Sequence, residues 1–246
     1  EVNSNGSRYV VNSSRPTAGR PDASSKPLID EAADRQVGGF AGVLLAAGVA
    51  DRLVLDVRVA PGVAPTPEAI DAIAQALRTY SEKPVDASRA ALTGVDEGTH
   101  TAEEIRRLAT KQGTANRDGV AVVHVLYLGG RFENEGTLGV AVRGDTVAVF
   151  PDAVDDAVSP FAPRSRIERA VTVHELGHVL GLVDLYLNRN RDDPEHPGHS
   201  PNRASVMFWA VDTSLVGQVL GGPPPVNFDD QDAADLAQIR AGAARG

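Results

Sequence analysis

Residues 174–184 read HELGHVLGLVD, and the opening HELGH carries side chains that can do hydrolytic chemistry together. His174 and His178 are four positions apart, so on a helix both rings leave one face, displaced by about 6 Å along the axis. Two imidazoles so placed can reach one zinc ion at ~2.0–2.1 Å. Glu175 is rotated off that axis, where a carboxylate can hold a metal-activated water without itself binding metal. Nitrogen ligation of tetrahedral geometry favours zinc, and one catalytic Zn2+ is the expected cofactor. Val171, Val173, Leu176, Val179 and Leu180 surround the pair, which predicts a central, buried helix. Buried imidazoles without a metal would leave ring nitrogens in need of partners. Zinc in such a site takes a third protein ligand, and the stretch offers only Asp184 unless a later residue returns to the metal.

The elements that must position these residues can be read from period and composition. RLVLDVRVA (52–60) alternates like a strand, and GVAVVHVLYLGG (119–130) is the strongest strand signal in the chain. TPEAIDAIAQALRTY (66–80) predicts a helix with Thr66 as N-cap and Pro67 at its first position. ASRAALTG (87–94) reads as a weaker strand, and IDEAADRQ as a short helix. THTAEEIRRLATKQ (99–112) places Thr101 and Glu104 in capping-box spacing. TLGVAVRG (137–144) and TVAVFPDAV (146–154) predict two strands joined tightly at Gly144-Asp145. The metal helix spans 163–181, with Ser165 and Glu168 as a capping box and Gly181 as its stop. A final helix is expected over 228–242, with acids in its first turn. Strands end before residue 155 and the chemistry begins at 174. The expected architecture is therefore α+β: an upper lobe of mixed sheet and helices to about residue 181, then an irregular lower lobe over 182–246 closing a cleft.

Composition narrows the classes. The 246 residues carry a net charge of −9 and no cysteine. Disulfides and thiolate zinc sites are excluded, and no basic surface argues for nucleic acid or anionic lipid. No apolar run is long enough to span a bilayer, and FAGVLLAAGVA (40–50) reads as a buried segment. Residues 1–27 are polar and rich in Ser, Asn and Pro, and are expected to be a flexible tether ahead of one domain over 28–246. Such a tract fits an exported protein, secreted or anchored at a cell surface, and a monomer is expected.

HELGHVLG resembles the start of the metzincin signature HExxHxxG, in which the glycine turns the chain so that a third ligand can rise to the metal. Metzincins also carry a methionine turn after the active helix. The single methionine of this chain is Met207, in ASVMFWA (204–210). The resemblance implies a metzincin-like (zincin) fold in which Met207 packs beneath the ligands. Most metzincins have the third histidine where this chain has Asp184, and some bacterial members have aspartate there. The segment from His199 to Met207 reads H-S-x4-S-x-M and is similar to the archaemetzincin pattern H-C-x4-C-x-M, whose first histidine is the third zinc ligand. Ser200 and Ser205 stand at the cysteine positions, so the second zinc site that those cysteines form is not expected. On that alignment His174, His178 and His199 hold the metal, and 183–198 is an insertion. Asp184 and His196 stay open as alternatives. A neutral third imidazole leaves the site at +2, which acidifies a bound water more than a carboxylate ligand would. Some metzincins have a tyrosine two residues after the methionine; here Trp209 stands there. Asp192, Asp193 and Glu195 form an acidic turn that could bind calcium.

The resulting expectation is a zinc-dependent endopeptidase with Glu175 as general base, acting on a protein or peptide substrate laid along an edge strand. A zinc-containing binding protein without catalysis, and a zinc hydrolase of a non-protein amide, are the alternatives. His124 reads as core, and His100 as the residue preceding a helix N-terminus.

Overall fold

A computed structural model describes residues 36–243 and Arg245. The tether expected over 1–27, and nearly all of the short helix expected in IDEAADRQ, lie outside the described residues. The described chain begins beside α1 (Ala41–Leu45), whose Ala41, Leu44 and Leu45 are buried, as the apolar run of 40–50 predicts.

β1 (Arg52–Val59) and β4 (Val120–Tyr127) pair in parallel at the middle of a five-stranded sheet. β4 is buried nearly throughout and β1 at most of its positions, which suits strands covered on two faces and explains their dense Val and Leu content. β2 (Val85–Ala91) adds to β1 in parallel and is exposed at every position after Val85. That exposure is why its small-residue sequence carried a weak signal. β7 (Thr146–Val149) joins β4 in parallel, and β6 (Gly139–Arg143) closes the order β2-β1-β4-β7-β6 as an antiparallel edge. β3 (Gly98–His100) and β5 (Gly130–Phe132) form a separate parallel pair.

Two polar residues buried in the central strands are accounted for by one network. Asp56 on β1 lies opposite His124 on β4 and accepts from His124 Nδ1 at 3.1 Å, from Arg58, and from the Thr114 amide. Burial alone would raise the Asp56 pKa, yet His124, Arg58 and Thr114 together hold it far below the usual carboxylate range.

α2 (Pro67–Ser81) packs beside α5 (Arg164–Val179), and α5 also packs against β6 and β7. α3 (Ala102–Gln112) starts at Thr101, whose hydroxyl accepts the Glu104 amide. From residue 167 α5 is buried on nearly every side, so an amphipathic stripe is absent from its sequence. Its expected capping box does not form. The N-cap is Pro163, and Glu168 turns inward to accept the Thr66 N–H at 2.8 Å, capping α2 rather than its own helix. The strand expected over 146–154 stops at Val149, because Pro151 opens α4 (Pro151–Asp156) at a position where its missing N–H costs nothing. Beyond Gly181 the chain is irregular except for a 3-10 turn (Trp209–Asp212) and α6 (Val216–Leu220), until α7 (Asp230–Arg240) with an Asp229/Asp232 capping box. No helix among the described residues is long and apolar enough to cross a membrane.

Candidate metal centre

The C-terminal half of α5 carries His174, Glu175 and His178, all buried. His174 and His178 meet with their Nε2 atoms 3.0 Å apart. Two nitrogens held at ~2.0–2.1 Å by one tetrahedral ion stand about 3.3–3.4 Å apart, so this spacing suits a shared metal. His174 is oriented through its other nitrogen, since Nδ1 lies 2.7 Å from the Val206 carbonyl and donates to it. That bond leaves Nε2 free to ligate. Burial pushes the pKa values of both His174 and His178 down, which keeps their lone pairs available.

The third imidazole comes from outside the helix. Gly181 has φ 79°, and a Cβ there would stand 2.5 Å from the Tyr186 Cβ. The chain therefore leaves the helix through a turn that a larger residue would obstruct. Val183 and Asp184 continue it in left-handed backbone, at φ 50° and 64°. Asp184 is engaged within its own loop. Its carboxylate accepts the amides of Arg189 at 2.6 Å, Asp192 at 3.1 Å, and Arg191. It organises the loop that returns to His199. His199 is pinned on both sides by backbone bonds: its carbonyl accepts the Asp193 amide at 2.7 Å, and the Ser200 amide donates to Met207 O at 2.8 Å.

His199 thus lies with its ring 5.2 Å from His174 and 5.0 Å from His178, centroid to centroid. The ligating atoms of all three are within 4.8 Å of one another. His196 is elsewhere, stacked on Trp209 at 4.2 Å with Nδ1 bonded to Asp193. Asp193 also accepts the Glu195 amide, so this carboxylate of the acidic turn is committed locally.

Met207 is fully buried against α5. A Cβ on Gly177 would lie 2.2 Å from Met207 Sδ and 2.9 Å from Phe228 Cε1, so only glycine between the two histidines admits this packing. The turn itself is tied to α7, since Ser205 Oγ donates to Asp232 at 2.6 Å and accepts the Met207 amide at 2.9 Å.

A cleft of about 310 Å³ opens above these groups, walled by Gly139, Val140 and Ala141 of β6 and by Val37 and Leu185. Glu175, His178, His199 and Asp212 face it. Asp212, from the 3-10 turn, is the residue the sequence reading missed. Its Oδ2 is 3.8 Å from His199 Nε2, and one oxygen of it groups with His174 and Glu175 within 4.8 Å. The only sequence signal is an acid ending the apolar run FWAV, five residues after Met207. Burial pushes Glu175 well above the usual carboxylate range and Asp212 adds to it, while a backbone contact from Ala141 opposes. For His199 burial acts downward, but Asp212 outweighs it and the net shift is upward.

Glu175 Oε1, both ring nitrogens of His199 and Asp212 Oδ1 are buried without hydrogen-bond partners. Orphaned polar atoms of this kind are costly, and one divalent cation among them would satisfy the imidazoles and reverse the carboxylate shift. The donor set, three imidazoles beside an open face, fits zinc.

The chain superposes on the crystal structure of archaemetzincin from Methanopyrus kandleri with a TM-score of 0.52, at 20% identity, covering 77% of this chain and 96% of that one. The fold is archaemetzincin-like. An archaemetzincin from Archaeoglobus fulgidus complexed with malonate matches at a TM-score of 0.44 and 14% identity, over 74% of this chain and 98% of that one. A zinc-dependent peptidase from Methanocorpusculum labreanum matches at 0.43 and 15%, over 74% and 99%. The sequence itself matches no family model and no curated protein.

Proposed function

We propose that the protein is a zinc-dependent endopeptidase, with His174, His178 and His199 as ligands and Glu175 as general base. The observation that carries this is the convergence of three imidazoles beside a buried carboxylate, at the floor of a cleft edged by β6. The archaemetzincin-like fold and the contact of Met207 with Gly177 support the same reading. Zinc in this site would lower the pKa of a bound water toward neutrality and polarise the scissile carbonyl. Glu175 takes the proton from the attacking water and passes it to the leaving amine. His174 is held in its ligating tautomer by Val206 O. β6 is the edge of its sheet, so its outer backbone groups can pair with an extended peptide, whereas β7 is flanked on both sides and cannot. The export expected from the N-terminal tract fits such an activity.

The test is hydrolysis of a quenched casein substrate by zinc-loaded protein, with and without chelator. Chelator-sensitive turnover is expected. Glu175→Gln is expected to keep stoichiometric zinc and lose about 10²–10⁴-fold in kcat. Full zinc with no turnover by the parent would instead support a binding protein or a hydrolase of another amide.

A further inference from the structure

Asp212 carries the strongest unassigned chemistry in the molecule. Its Oδ1 is sealed from solvent with no hydrogen-bond partner, and so is Glu175 Oε1. The two carboxylates come from different elements, the 3-10 turn and α5, and with His174 they place one oxygen or nitrogen each within 4.8 Å of the others. Atoms this close to one another can be bridged by a single water. Two unpartnered carboxylate oxygens facing one space are acceptors that a donor between them would satisfy. Both also face the cleft that β6 edges.

We propose that Asp212 is a positioning residue for the attacking water, accepting one of its O–H bonds while Glu175 accepts the other. Such a water would have both hydrogens committed, one to Glu175 and one to Asp212, and so a restricted direction of attack. Glu175 still removes the proton; Asp212 fixes the orientation from which attack occurs. The backbone of Asp212 supports this, since its carbonyl accepts the Leu138 amide at 2.8 Å and so ties the 3-10 turn to the chain entering β6.

The inference rests on the three-imidazole metal site proposed above, and its test separates the two. Asp212→Asn is close to isosteric and leaves the Leu138 bond intact. Cobalt-loaded parent and variant are titrated with azide, read by the visible cobalt absorption, and zinc affinity is measured by chelator competition. Azide has no hydrogens to give and is repelled by a carboxylate beside the open position. Its affinity is expected to rise about tenfold in Asp212→Asn, with zinc affinity lowered by no more than ~100-fold. With peptide substrate, kcat is expected to fall about 100-fold at little-changed KM. Unchanged azide affinity would overturn the proposal. Loss of zinc as complete as in His199→Ala would also overturn it, by making Asp212 a ligand. A parent that binds cobalt and azide yet cleaves no peptide would sink the peptidase reading while the azide arm still decides the role of Asp212.

Discussion

At the scale of residues, the site divides into what one helical turn can show and what only the folded chain can. His174, Glu175 and His178 are legible because their spacing is the geometry. His199 is 21 residues beyond His178 and is readable only from its pattern with Met207. Asp212 is not readable, because its meaning lies in nearness to Glu175 across the cleft. Glu168 misleads in the opposite way: a local cap by spacing, it serves Thr66, 102 positions away. Asp184 and His199 can be separated by metal content. Since Asp184 holds three loop amides and His199 faces the other imidazoles, Asp184→Ala is expected to keep one zinc per chain and His199→Ala to lose it on dialysis. The reverse result would make HELGHVLGLVD self-contained.

At the scale of elements, two contacts set the site's shape. α5 is placed by α2 on one side and by β6 and β7 on another, and the Met207 turn presses on it where Gly177 leaves a gap. Gly177→Ala would force Met207 and Phe228 outward, an overpacking worth about 1–3 kcal/mol. The melting temperature of the variant should drop by several degrees, with weaker zinc binding, because Val206 orients His174 from the same turn. An unchanged melting temperature would show that the turn has slack there. Strand and helix positions were largely legible, since β1, β4 and α3 carry strong periods or caps. Their ends were less so: β7 stops early because Pro151 begins a helix that a continuous apolar run disguised.

At the scale of the whole molecule, the Met207 turn is fastened to α7 through Ser205 and Asp232. Burial raises the Asp232 pKa to about 6, with the Ser205 hydroxyl opposing and Asp229 and Asp235 adding to the rise. An unfolded aspartate titrates near ~3.9. Between these values the folded state holds the proton more firmly, so the stability this group contributes is complete below about pH 4 and is lost as pH rises through 6. Denaturant unfolding of the parent and Asp232→Asn at pH 4 and pH 7 should show the difference shifting toward the variant by ~2 kcal/mol as pH rises. A pH-independent difference would mean that Asp232 titrates alike in the folded and unfolded chain.

The left-handed pair Val183-Asp184 and the three amides gathered on Asp184 have one more consequence, and it concerns time rather than position. Two imidazoles sit on a rigid helix, but the third arrives on a loop that must coil before it can close over an ion. An ion held by all three would be released through the opening of that loop. The histidines would then set how tightly the ion is held, and Asp184, committed to three loop amides, would set how fast it is exchanged.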